Sequence, residues 1–178
     1  MQKVWHSLIV ALSCSVVVAC GSSSEGGGID IGAQPSDFLE IELCQMFLAF
    51  ARDDLGIVNV WFDDSKGYDP EESVGMNGYC VLTEKNGNST IGTLKVRNPG
   101  RHGTIEPGDP DFQPEDGYEE KVWMTSDNQY RTQVGSWVSD VRFNKSNIQT
   151  VNGALEFSSE EVDKTIDFLI KVARDVQK

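Results

Sequence analysis

Apolar positions in this chain recur with two different periods, and the change from one to the other marks its parts. Leu39, Leu43, Met46, Phe47 and Phe50 fall at helical spacing. Ser36 or Asp37 can cap the start of that helix and Gly56 can end it. Phe38–Leu43 also alternates like a strand, so the start stays open. Ile57–Phe62 is apolar on both faces and predicts a central strand. Tyr79–Lys85 and Ser89–Arg97 flank Asn86-Gly87, which predicts a hairpin. Lys121–Thr125, Thr132–Phe143 and Asn147–Phe157 predict three more strands. In the middle one, Trp137, Val141 and Phe143 point one way, Asp140 and Arg142 the other. Asp127-Asn128 and Asn144–Ser146 carry turn chemistry.

The last element is a helix. Ser158 and Glu161 form a capping-box pair. Val162, Ile166, Leu169, Ala173 and Val176 then make one apolar stripe that must pack on something. The sum is a single α+β domain over residues 36–178: an antiparallel sheet of about five to six strands, packed by an N-terminal and a C-terminal helix. Two long polar segments, Asp63–Gly78 and Asn98–Glu119, interrupt the regular elements. Loops of that length in a compact domain are usually functional or disordered.

Ahead of the domain, Leu8–Ala19 is apolar apart from Ser13, Cys14 and Ser15 and carries no charge. A spanning helix needs about 20 apolar residues, so this run fits the core of a signal peptide over residues 1–19, with Lys3 in its positive leader. Val17-Val18-Ala19-Cys20 resembles the bacterial lipobox, in which the cysteine thiol receives a diacylglyceryl group and the chain is cut before it. The resemblance implies an anchor of acyl chains, palmitate among them, at Cys20. Two chains, at about 0.8 kcal/mol per buried CH₂, hold a protein stably on a membrane. Residues 20–35, rich in Gly and Ser, read as a tether with a reach of roughly 20–24 Å.

Charge changes the list of partners. The chain carries 15 Lys+Arg against 28 Asp+Glu, a net −13. Loss of residues 1–19 removes Lys3 and no acid, which leaves −14. An acidic surface argues against nucleic acid, which rewards a basic footprint, and against electrostatic docking on anionic lipid. Attachment falls to the lipid on Cys20.

The four cysteines sort themselves. Cys14 leaves with the signal and Cys20 takes the lipid. Cys44 and Cys80 remain, in a compartment where disulfides persist, and a bridge between them is expected. No Cys-x-x-Cys is present.

The order of parts, Cys20 with its tether, Cys44 in a helix ending at Gly56, and Cys80 opening the Cys80–Val96 hairpin, resembles the small actinobacterial envelope lipoproteins of unknown function. Those proteins usually show an Asp-Pro-Cys helix start and a Cys-x-Trp strand. Here Glu42-Leu43-Cys44 and Cys80-Val81-Leu82 stand at those places. The resemblance implies an antiparallel α+β domain with one disulfide and no established chemistry. It also admits a Mog1/PsbP-like arrangement, a sheet between helices.

Catalytic signatures are sparse. After residues 1–19, His102 is the histidine through which a Ser-His-Asp triad would have to pass, and Gly135-Ser136-Trp137 lacks the closing glycine of a nucleophile elbow. Asp109, Asp111, Glu115 and Asp116 echo a calcium loop without its spacing or terminal glutamate. No metal and no cofactor is expected. Trp61, Trp123 and Trp137 are expected to pack in the core. The expected function is a non-catalytic binding or accessory module on the extracytoplasmic face of the cell membrane, with an envelope protein, lipid or glycan as partner. A hydrolase using paired carboxylates and a structural, antigenic or phage-encoded surface protein are the alternatives.

Overall fold

The computed structural model describes residues 34–62, 71–85, 89–100, 111–144 and 148–178. The expected signal peptide, Cys20 and most of the expected tether therefore lie outside the described residues, as do Asn86-Gly87, His102 and Asp109.

The chain is α+β. Its main sheet joins seven antiparallel strands: β2 (Val60–Phe62), β4 (Asn77–Glu84), β5 (Thr90–Arg97), β6 (Gln113–Glu115), β7 (Lys121–Met124), β8 (Gln129–Val134) and β9 (Trp137–Phe143). Their spatial order is β2-β4-β5-β9-β8-β7-β6. Two small pairs flank it: β1 (Ser36–Leu39) with β3 (Ser73–Gly75), and β10 (Gln149–Thr150) with β11 (Gly153–Ala154). The helices are α1 (Glu40–Ala49), continued by a π turn over Phe50–Asp54, and α2 (Ser159–Asp175).

Several expectations need correction. The sheet has seven strands, more than the expected five to six. Ile57–Phe62 is not central; its strand β2 forms one edge, with Trp61 41% exposed. Phe62 stacks on Trp61 at 5.9 Å, and Arg52 and Lys85 sit over its ring. The segment predicted as one strand over Thr132–Phe143 is two, folded at Gly135-Ser136. Gly135 has φ +57° and directly follows the closing pair residue Val134, opposite Trp137, the position where a tight hairpin turn calls for glycine. The loops each hold a short strand, β3 in the first and β6 in the second. β6 tolerates Pro114 because it is the other edge of the sheet. The Asn147–Phe157 run supplies the small β10–β11 pair and no strand of the main sheet.

Both helices pack on one face of the sheet and meet there. Phe168 of α2 stacks on Phe50 at 4.2 Å and 2°, and on Phe47 at 6.1 Å, while Phe47 also contacts Phe143 of β9 at 6.0 Å. In the predicted α2 stripe, Ile166, Leu169, Ala173 and Val176 are at most 1% exposed, and Val162 is half-buried against the same core. The Ser158 hydroxyl donates to the Glu161 carboxylate at its start. In α1 the open question of the start resolves as strand and then helix, since Ser36–Leu39 pairs with β3 before the helix begins. The Leu39 N–H donates to Glu42. Gly56, at φ +63°, ends the element as expected.

Cys44 and Cys80 form a disulfide that ties α1 to β4, with Cα atoms 5.3 Å apart and neither residue exposed. The helix layer sits so close to β4 that a side chain on Gly78 would come within 2.9 Å of Val74 and Val96 and 3.0 Å of Leu43. A second tie joins β9 to α2: the buried Ser139 hydroxyl donates to the Leu169 carbonyl at 2.8 Å and pairs with Thr132 Oγ1, also at 2.8 Å.

Candidate binding face

With the helices on one side, the other face of the sheet is left to display the alternate residues of each strand. Strand register places them in rows. Tyr79, Lys95, Asp140, Arg131 and Trp123 lie directly across from one another along β4, β5, β9, β8 and β7. Asn77, Arg97, Val138, Gln133 and Lys121 form the row on one side of it. Val81, Thr93, Arg142 and Gln129 form the row on the other.

This face has the opposite sign to the chain as a whole. Lys95, Arg97, Lys121, Arg131 and Arg142 stand on it, and Asp140 is the carboxylate that the described strands contribute. The acids lie elsewhere in quantity, with Glu40 and Glu42 in the first turn of α1 and Glu160 and Glu161 in the first turn of α2.

Asp140 is already committed. Arg131 donates to its Oδ2 from Nε at 2.7 Å and from Nη2 at 2.5 Å, and Gln129 donates to Oδ1 at 3.2 Å. Arg131 is held from its other side by the Phe112 ring, 4.1 Å from the guanidinium carbon. Val81, Val138 and Phe112 are buried yet belong to no part of the helix-side core. They form the apolar floor of this second face. Arg97 beside them has its pKa pushed down, first by burial and then by the like charge of Arg131, with Asp140 opposing.

Between these rows lies an open cavity of about 550 Å³. Lys95 and Arg142 supply its cations, Thr90 and Thr93 its hydroxyls, and Tyr79 an aromatic wall. Asp127, Gln129 and Asp140 line the side toward β8. The Lys95 ammonium lies 5.5 Å from the Tyr79 ring centroid. Asp127 and Asn128 occupy the β7–β8 turn, where Asn128 takes φ +56° and the Thr125 N–H donates to the Gln129 carbonyl at 2.9 Å.

The sequence-singled residues are distributed as follows. Asp140 and Arg142 face away from Trp137, Val141 and Phe143, as the alternation predicts. Trp137 is core, at 3% exposure. Trp61 and Trp123 are not: Trp61 is exposed, and Trp123 stands opposite Arg131 on the polar face. The expectation that all three are core residues is corrected by strand parity, which puts Trp61 and Trp123 on the side without helices. Asp111, Glu115 and Asp116 lie at and beside β6, and among the described residues no three His, Cys, Asp or Glu side chains converge on a metal position. Among the described residues, no helix is long and apolar enough to cross a membrane. Tyr79, Lys95, Arg97 and Arg131 were missed as a group. Their available signal was Thr93, Lys95 and Arg97 alternating with Leu94 and Val96, basic residues on one side of a strand in an acidic chain.

No protein-family model, curated protein or solved structure matches this chain. The structure defines a disulfide-tied α+β domain with a two-helix layer on one face of an antiparallel sheet and a cation-rich, cavity-bearing face on the other.

Proposed function

We propose that this chain is a lipid-anchored, non-catalytic binding module on the extracytoplasmic face of a bacterial cell membrane, and that it binds through the helix-free face of its sheet. The observation that carries the binding role is the cavity between Tyr79, Lys95 and Arg142, in a face whose strand carboxylate, Asp140, is occupied by Arg131 and Gln129. A carboxylate held by three donors serves as scaffold for the site. Lys95 and Arg142 line the cavity beside it, with Asp127 on the side toward β8. The cavity's size lies within the 300–1,000 Å³ usual for small-ligand sites.

The anchor rests on Val17-Val18-Ala19-Cys20 and the Gly/Ser tether to Pro35. The kinship proposed is with the small actinobacterial envelope lipoproteins, supported by the Cys44–Cys80 bridge between the first long helix and the first long hairpin. A Mog1/PsbP-like relation belongs to the same proposal. It rests on the order helix, hairpin, sheet, helix, and must accommodate both helices gathering on one face.

The test is mass spectrometry of the chain purified from bacterial membranes. The expected species begins at Cys20 and carries diacylglyceryl and acyl mass, and Cys20→Ala releases the protein from the membrane. An unmodified, soluble wild-type chain that retains residues 1–19 refutes the anchor. Turnover of a glycoside that is lost on Asp127→Asn would move the reading to a hydrolase.

A further inference from the structure

The cavity's chemistry narrows its ligand. Lys95 and Arg142 are diagonal neighbours on β5 and β9, because Thr93 faces Arg142 and Lys95 faces Asp140. Such diagonal positions lie about 7–8 Å apart, a span that lets a long ammonium and a guanidinium converge on one small oxyanion. Arg142 is exposed and, among the described residues, forms no ion pair, and Lys95 meets the face of Tyr79. Of the two carboxylates lining the cavity, Asp140 is held by Arg131 and Gln129, and Asp127 stands on the side toward β8. The Thr90 and Thr93 hydroxyls line the same cavity, and Tyr79 is 38% exposed at its edge. Hydroxyl donors beside an exposed ring suit a polyhydroxylated ligand, and the paired cations suit a phosphate. Arg97 lies one row further along the face, outside the cavity, and Arg131 lies on the next strand, paired with Asp140.

We infer that the cavity between β4, β5 and β9 binds a phosphorylated carbohydrate, with its phosphate between Lys95 and Arg142 and its sugar hydroxyls toward Thr90, Thr93 and Tyr79. This assignment rests on the proposed binding role and names the ligand class for the same site. A guanidinium and an ammonium give charge-assisted hydrogen bonds to phosphate oxygens. Net charge −13 gives the anion no long-range steering, so affinity has to come from contact inside the cavity.

The experiment is calorimetric titration of the full chain, purified in detergent, with glucose 1-phosphate, glucose and inorganic phosphate. Glucose 1-phosphate is expected to bind at least tenfold more tightly than inorganic phosphate, and glucose not measurably. Arg142→Gln and Lys95→Gln are each expected to weaken glucose 1-phosphate tenfold or more, and Lys121→Gln, on the same face outside the cavity, less than twofold. Both cavity substitutions are at exposed positions, and unchanged melting of the variants confirms their folding. A parallel arm offers the full chain with Cys20→Ser to vesicles of phosphatidylcholine with 30% phosphatidylglycerol. Binding to vesicles but not to glucose 1-phosphate overturns the assignment in favour of a lipid headgroup. Equal affinity for phosphate and glucose 1-phosphate, or affinity indifferent to Lys95 and Arg142, overturns it as well. Failure of every probe overturns the ligand class alone, because the mass at Cys20 is measured independently.

Discussion

Arg131 gives two hydrogen bonds to a single oxygen of Asp140, at 2.7 and 2.5 Å, with both side chains only 12% exposed. The pair joins β8 to β9 across one register step. It also decides the electrostatics of the face, because it spends the carboxylate that would otherwise neutralise Lys95 or Arg142. Asp140→Asn should therefore destabilise the domain by about 1.5–3 kcal/mol, the range for hydrogen bonds to charged groups. It should also strengthen anion binding at the cavity. Urea denaturation and a phosphate titration check the two halves; an unchanged midpoint would mean the pair is decorative.

The Cys44–Cys80 bridge closes a loop of 36 residues. On the chain-entropy account it contributes about 3–4 kcal/mol. Paired Cys44→Ala and Cys80→Ala substitutions should lower guanidinium stability by that order. Because neither cysteine is exposed, a reductant should act on the native protein only as fast as it opens. Rapid reduction under native conditions would contradict the packing of α1 on β4.

Ser139 holds the sheet to α2 through the Leu169 carbonyl and Thr132. Ser139→Ala leaves Thr132 with a lost partner inside the core and should cost about 1–3 kcal/mol. Leu169→Ala should cost about 2–5 kcal/mol, and Ile166→Asp or Leu169→Asp should prevent folding. Wild-type melting in either aspartate variant would reject the helix packing.

Glu40 titrates higher than an ordinary glutamate, first because of burial and second because of Glu72. A carboxyl whose folded pKa lies above its unfolded value weakens the fold at pH above both, and the penalty disappears as pH falls below about 4.5. Glu40→Gln should therefore raise stability slightly at pH 7, by a few tenths of a kcal/mol after solvent screening. The two proteins should converge below pH 4.5. Thermal melts at pH 7 and pH 4 separate this outcome from a uniform effect.

Local chemistry explains which parts of the fold could be read in advance. The α2 stripe, the β4–β5 hairpin and the parity of Trp137 against Asp140 follow from periodicity that tertiary structure did not override. The disulfide was legible because the other two cysteines had separate explanations. β2 was misplaced because an apolar run on both faces does not require a neighbour on both sides: β2 is an edge strand, and Trp61 stays 41% exposed with Arg52 and Lys85 against its ring. β3 and β6 are three residues each and carry no period to detect. The candidate site was the least legible part. Tyr79, Lys95, Arg131 and Arg142 come from four strands whose adjacency depends on the order β4-β5-β9-β8, which periodicity does not contain.

The most direct measurement of the central claim is amide chemical-shift mapping of the full chain in micelles during titration with glucose 1-phosphate. The account predicts shifts confined to β4, β5 and β9 around Tyr79, Lys95 and Arg142, with Leu169 and the rest of α2 unmoved. Shifts centred on the helices, or scattered over both faces, would contradict it.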